Sequence, residues 1–250
     1  QVTLGGEIAD QGVLDALASG RVVSHPVVLP EGVRAAEIAR RLEAQGLAEA
    51  GAFLAVVHDA AFAAELGIPA DDLEGYLFPE TYHFARGLGA RAIARAMVEQ
   101  FLEVWQDLAA QAAARELSMH EVVTLASLIE KETAVPEERP LVSAVFHNRL
   151  RRGMRLETDP AVIYGIEDFD GNLRRVHLED GTNPYNTYRI AGLPPGPIAN
   201  PGEAALRAVL APADVDYLFF VARGDGSHVF SRTYREHARA VDRHQRRGGS

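Results

Sequence analysis

Glu130 sits near the end of an otherwise apolar run that extends from Ser118 to Thr133, and a carboxyl in such a setting can do acid-base chemistry. At helical spacing Glu130 shares a face with Val123, Ala126 and Ser127, so its carboxyl emerges from a stripe of small and apolar side chains. Burial and the negative end of a helix dipole both disfavour the charged form. A carboxyl kept protonated near neutral pH is equipped to act as a general acid. The same residues also fit a helix-end Glu paired with a nearby Arg, and the two readings stand side by side. Lys131 is the sole lysine among 25 Lys and Arg side chains. Its compact ammonium donates in three directions without a planar fork, which marks positions 130 to 132 as a special site unless its survival is chance.

The helix that carries these residues has a start signal, since Ser118 followed by Glu121 has the form of a capping box. Val122, Val123, Leu125, Ala126, Leu128 and Ile129 leave it almost no polar side, which predicts burial. A second helix is expected from Pro136 to Arg152, stopped by Gly153, then an extended stretch Met154 to Thr158 and a short helix from Ala161 to Gly165 with Asp159 as its cap. Asn183 to Ile190 and Gly192 to Ile198 read as a long, Pro-stiffened surface segment of the kind that tends to be functional. Asn200-Pro-Gly-Glu203 caps a helix to Leu210, and Tyr217 to Ala222 with His228 to Thr233 reads as a hairpin around Arg-Gly-Asp-Gly-Ser.

The first half supplies a short helix Asp10 to Ala18, a strand Val27 to Leu29, and helices Arg34 to Gln45 and Glu49 to Val57. Strand-helix-helix is the size of a carbohydrate-binding module of LysM type, although a second flanking strand is missing; a plain α+β scaffold fits as well. Asp71 to Phe84 reads as an ordered loop whose aromatics either line a sugar groove or fill a core. A long helix from Ala90 to Glu116, with Phe101, Leu102, Trp105 and Leu108 at core spacing, supports the second half. The fold class expected is α+β: a small LysM-like unit (1–57), a connecting region (58–118) and a helix-rich catalytic domain with small β elements (119–250).

At 250 residues and 47% hydrophobic, the chain can bury a substantial core. A net charge of -10 argues against a nucleic-acid partner, and the absence of cysteine excludes disulfides and thiolate chemistry. No apolar run reaches the roughly 20 residues that span a bilayer. His120-Glu121 lacks the second histidine of a zinc helix, and no nucleophile elbow, phosphate loop or dinucleotide fingerprint is present, so no cofactor is expected. Carboxylate chemistry on a sugar-like polymer remains, or no chemistry at all.

Leu73-Glu-Gly-Tyr-Leu-Phe-Pro-Glu-Thr-Tyr82, Ala126-Ser-Leu-Ile-Glu-Lys-Glu-Thr-Ala-Val135, Phe146-His-Asn-Arg-Leu150, Met154-Arg-Leu-Glu-Thr-Asp-Pro160, Tyr185-Asn-Thr-Tyr188 and Gly192-Leu-Pro-Pro-Gly-Pro-Ile198 together resemble the YceG-like (MltG) endolytic murein transglycosylases. The resemblance implies cleavage of the peptidoglycan glycan strand between N-acetylmuramic acid and N-acetylglucosamine without water, leaving a 1,6-anhydro end and terminating strand elongation. It implies one catalytic glutamate, which falls on Glu130, and a membrane anchor that holds the enzyme outside the cytoplasmic membrane near the wall-synthesis machinery; this chain is then expected to be a soluble piece without that anchor. One carboxyl suffices if it protonates the glycosidic oxygen and then takes the proton of the sugar's 6-hydroxyl. Tyr76, Glu80, Tyr82, Lys131, Glu132, Asp159, Asn186 and Tyr188 are the expected substrate contacts. A lysozyme-like hydrolase pairing Glu130 with Asp159, and a non-catalytic wall-binding module, are the alternatives.

Overall fold

The computed structural model describes residues 24–246, so the helix expected over Asp10 to Ala18 lies outside the described residues. Strand β1 (Ser24–Val28) is followed by three helices, α1 (Ala35–Ala44), α2 (Ala50–Val57) and α3 (Ala60–Glu65), and then by strand β2 (Thr81–Ala85). The two strands pair antiparallel, with Val27 opposite Tyr82. The flanking strand that seemed missing is therefore the end of the aromatic segment, where Tyr82 and Phe84 alternate inward against exposed Thr81 and His83. That alternation covers few residues and follows directly on Pro79, which hid it among loop signals.

Helix α4 (Ala90–Ala114) packs on α2 and supports α5 (Met119–Glu132). The Ser118 capping box is formed: its hydroxyl accepts the Glu121 N–H, and the Glu121 carboxylate accepts the Ser118 N–H at 2.8 Å. Residues Val122 to Ile129 of α5 are all buried, against α9 (Glu203–Leu210), α6 (Arg139–Arg151) and α7 (Asp159–Tyr164). A 3-10 turn at Pro136–Glu138 leads into α6, and Gly153 ends it with φ 64. Thr158, not Asp159, is the residue before α7, so Asp159 is its first helical residue and leaves its side chain free for other contacts. A short helix α8 (Arg175–Glu179) precedes the Pro-rich segment. The expected hairpin is present as β3 (Phe219–Ala222) and β4 (His228–Ser231), with α10 (Tyr234–Val241) laid against both.

The segment expected on the surface is largely interior. Asn186, Thr187 and Ile198 to Asn200 are buried, and Ser127 on α5 accepts the Ile198 N–H at 3.0 Å. Asn200 does not cap α9, for which Gly202 serves. Its amide donates to the Val33 carbonyl and to Glu74, and its oxygen accepts the Leu77 N–H. Glu74 is only 5% exposed and accepts the Ala35 N–H at the start of α1 at 3.0 Å. Burial pushes its carboxyl up to about 7 against that hydrogen bond. Next to it, Gly75 has φ +89, and an added Cβ would lie 2.5 Å from Pro197 and 2.9 Å from Val123. One continuous apolar core includes Val27, Phe53, Tyr76, Phe101, Val122 and Leu206, crossing both residue 57 and residue 118. Among the described residues no helix is long and apolar enough to cross a membrane.

Candidate active site

Glu130 and Glu132 end α5 but face different surroundings, because residues two apart on a helix point about 200° apart. The Glu130 side chain is 6% exposed, with one oxygen 3.3 Å from Arg139 Nη2 and the other accepting the Gly202 N–H at 3.1 Å. Gly202 is the cap of α9, so this side chain sits at a helix N-terminus beside a guanidinium. Arg139 also reaches Glu31 at 3.4 Å. Burial raises the Glu31 pKa, the Glu130 charge adds to that, and Arg139 opposes it. The geometry at Glu130 is that of the second reading, a helix-end Glu beside an Arg: the face of α5 that carries it packs on α9, whose backbone supplies the donor.

Glu132 opens instead onto a cleft of about 430 Å³ between the end of α5, the 156–159 stretch, the β3–β4 hairpin and α10. Asp159 and Tyr188 line the same cleft. The Glu132 carboxyl takes no hydrogen bond from any other described residue. Burial, and secondarily the Asp159 charge, push it up to about 8, against the attraction of Arg149. Its surroundings thus favour the protonated form, a donor facing an open space. Asp159 Oδ1 accepts the Tyr188 hydroxyl at 2.8 Å, and burial followed by this bond raises the Tyr188 pKa. Glu132 and Asp159 thus line one cleft, Glu132 without a partner among the described residues and Asp159 accepting the Tyr188 hydroxyl.

The remaining expected contacts stand elsewhere. Asn186 is fully buried behind Tyr188: its amide donates to the carbonyls of His177, Leu178 and Asp180, and its oxygen accepts the Tyr188 N–H at 3.0 Å. Tyr76 is a core residue, its hydroxyl 2.9 Å from His120 Nδ1 and its ring edge-on to Phe101. Tyr82 is buried in β2 and donates to the Phe78 carbonyl at 2.7 Å. These aromatics fill the core under the loop, the other use such residues have. Glu80 is exposed before β2 and accepts the Thr81 N–H. Lys131 Nζ donates to the Gly32 carbonyl at 3.1 Å and borders a separate recess with Arg34 and Pro160.

Four ionisable cleft residues were not singled out from the sequence: Arg149, Glu157, His228 and His237. Arg149 is 7% exposed and donates to the carbonyls of Leu218, Arg155 and Leu156 and to the Glu157 carboxylate, fastening the hairpin to the stretch before α7. Glu157 holds a left-handed backbone, φ 54, unusual for a residue with a Cβ. Arg149 and Glu157 lie within the matching motifs, so those motifs were the available signal. His228 and His237 had none, because their hairpin and last helix carry only structural patterning.

The sequence profile of the YceG-like family matches residues 3–243. The chain is 39% identical to an endolytic murein transglycosylase of Bacillus subtilis (strain 168) over 173 residues, 69% of this chain and 48% of that protein. An endolytic murein transglycosylase of Streptococcus pneumoniae serotype 2 is 30% identical over 243 residues, covering 87% of this chain and 44% of its own length. The crystal structure of a yceG-like protein from Listeria monocytogenes matches with a TM-score of 0.79 at 33% identity, over 92% of this chain and 80% of that one. The chain spans less than half the length of the curated relatives it matches. With a profile match over nearly its whole length and the same fold in a solved relative, the chain belongs to the YceG-like family.

Proposed function

We propose that this chain cleaves the glycan strand of peptidoglycan as a lytic transglycosylase, with Glu132 as the acid. The observation that carries this reading is the Glu132 carboxyl, pushed up to about 8, unpaired, and lining an open cleft beside Asp159 and Tyr188. In the reaction Glu132 protonates the glycosidic oxygen, and the bond from that oxygen to the anomeric carbon breaks with its electron pair going to the oxygen. The 6-hydroxyl of the same sugar then closes on the anomeric carbon, giving the 1,6-anhydro end. Its proton passes to a base in the cleft, a part that the Glu132 carboxylate can fill alone. Glu130, engaged with Arg139 and Gly202, is assigned to holding α5, α6 and α9 together.

The similarity to endolytic murein transglycosylases supports the substrate assignment; a place at the outer face of the cytoplasmic membrane, where nascent strands would be ended, is part of the same proposal. Helices α1 to α3 between the paired strands support a LysM-like, glycan-binding reading of residues 24–85 rather than of a unit ending at 57. Asp159 beside Glu132 favours a second reading, hydrolysis, in which two carboxyls flank the bond. Mass spectrometry of fragments released from purified peptidoglycan decides: anhydro ends support transglycosylation, reducing ends hydrolysis, and no products a binding role.

A further inference from the structure

One cleft residue, His228, belongs to a hydrogen-bonded pair that the acid does not require. His228, on β4, places Nδ1 2.6 Å from Glu138 Oε2, and its backbone N–H donates to Glu138 Oε1 at 2.8 Å. Both side chains are nearly buried, 12% and 11% exposed, and the Thr133 hydroxyl donates to the same Glu138 oxygen at 3.3 Å. With the carboxylate accepting, the proton of a neutral ring sits on Nδ1, and Nε2 is left as an acceptor. His228 lines the cleft, and no described residue partners its Nε2. A carboxylate that fixes the tautomer and stabilises the imidazolium once it forms is the arrangement that makes histidine a general base.

The other ionisable groups of the cleft are less suited. Asp159 and Tyr188 are bonded to each other, Glu157 is paired with Arg149, and Arg149 is committed to three carbonyls and that carboxylate. His237 stacks on Phe219 at 5.3 Å with no carboxylate bonded to it, and burial followed by Arg149 lowers its pKa. Glu132 holds its proton, as an acid must.

We propose that His228, held by Glu138, is the general base that takes the proton of the attacking 6-hydroxyl, so that acid and base are divided between Glu132 and the Glu138–His228 pair. This deepens the glycan-cleaving reading of the cleft and rests on it. As O6 bonds to the anomeric carbon, the O6 proton moves to His228 Nε2. The proton on Glu132 goes to the departing oxygen, and the imidazolium then returns a proton to the Glu132 carboxylate through water, restoring both groups.

The test is the rate of anhydro-end release from purified peptidoglycan across pH about 5 to 9 for wild type, Glu138→Gln and His228→Ala, the last with and without added imidazole. Wild type is expected to lose activity on the acidic side as His228 takes up a proton, and on the alkaline side as Glu132 loses one. Glu138→Gln, which removes the charge that stabilises the imidazolium, is expected to move the acidic limb to lower pH. His228→Ala is expected to fall about 10²-fold or more, lose the acidic limb and regain activity with imidazole. A wild-type profile without an acidic limb, or a Glu138→Gln enzyme that slows with its limb unmoved, overturns the proposal, and the second result marks the pair as structural. If His228→Ala does not fold, the limb shift in Glu138→Gln decides. Absence of anhydro ends from wild type overturns the transglycosylase reading itself, which keeps the two failures apart.

Discussion

Thr187 Oγ1 accepts the buried N–H of Thr158 at 2.9 Å and donates back to the Thr158 carbonyl at 3.2 Å. This two-way contact joins the stretch that delivers Asp159 to the one that delivers Tyr188. The 2.8 Å bond between those side chains is thus set by their chain neighbours.

Thr187→Val keeps the shape and removes both bonds, leaving a buried N–H without a partner. A loss of about 1–3 kcal/mol in urea unfolding is expected, with lower cleavage activity as Asp159 and Tyr188 lose their register. A variant as stable as wild type would mean that the contact is incidental.

Glu132→Gln and Glu130→Gln should separate chemistry from support. The first is expected to fold and to release anhydro ends ~10²- to 10⁴-fold more slowly. The second should cost ~1.5–3 kcal/mol of stability by weakening charge-assisted bonds to Arg139 and Gly202, with the rate per folded molecule close to wild type. The reverse pattern would return the acid to Glu130.

The raised Glu132 pKa makes a stability prediction with a definite sign. The folded value, about 8, lies above the reference value of 4.5, so the native state holds the proton more tightly than the unfolded chain. The associated stability is fully present below pH 4.5 and is lost as pH rises through about 8. Glu132→Gln lacks this loss, so its melting temperature should gain on wild type between these limits and level off above them. Parallel curves for the two proteins would show that Glu132 is not desolvated.

Much of the frame was legible in the sequence because its signals are local. The Ser118–Glu121 box and the unbroken apolar run fixed α5, and alternation around a Gly-rich turn fixed the hairpin. The choice between Glu130 and Glu132 was not legible. A helical wheel identifies which carboxyl leaves the apolar face, but Gly202 of α9, Arg139 of α6 and the distant hairpin decide which one meets a donor and which meets open space. The Asp71 to Phe84 segment misled for a related reason, since a fully buried tyrosine and a sugar-stacking tyrosine have the same local sequence.

Tyr188→Phe removes the hydroxyl that Asp159 accepts and keeps the ring. A loss of about 0.5–1.5 kcal/mol, or roughly a two- to tenfold drop in kcat/KM, is expected from the freed carboxylate. Unchanged kinetics would show that Asp159 needs no fixed orientation.

Lys131→Arg is expected to leave the cleavage rate near wild type, because Nζ ties the Gly32 carbonyl to α5 and borders a recess separate from the cleft. Lys131→Ala should cost stability, by about 0.5–1.5 kcal/mol, more than rate. A large rate loss in the arginine variant would restore the special role that the lone lysine suggested.

Glu74, Gly75 and Tyr76 belong to the aromatic motif that contributed to the family resemblance, yet all three are spent on assembly: the start of α1 and Asn200, the close approach of Pro197 and Val123, and His120. The motif therefore reports architecture and is silent about turnover. A homologue that kept these residues and had lost Glu132 would be expected to adopt the same shape and cut nothing. In sorting such chains, the aromatic motif identifies the scaffold, while on the proposed assignment the last residue of α5 and the residues around the cleft distinguish an enzyme from an inert copy.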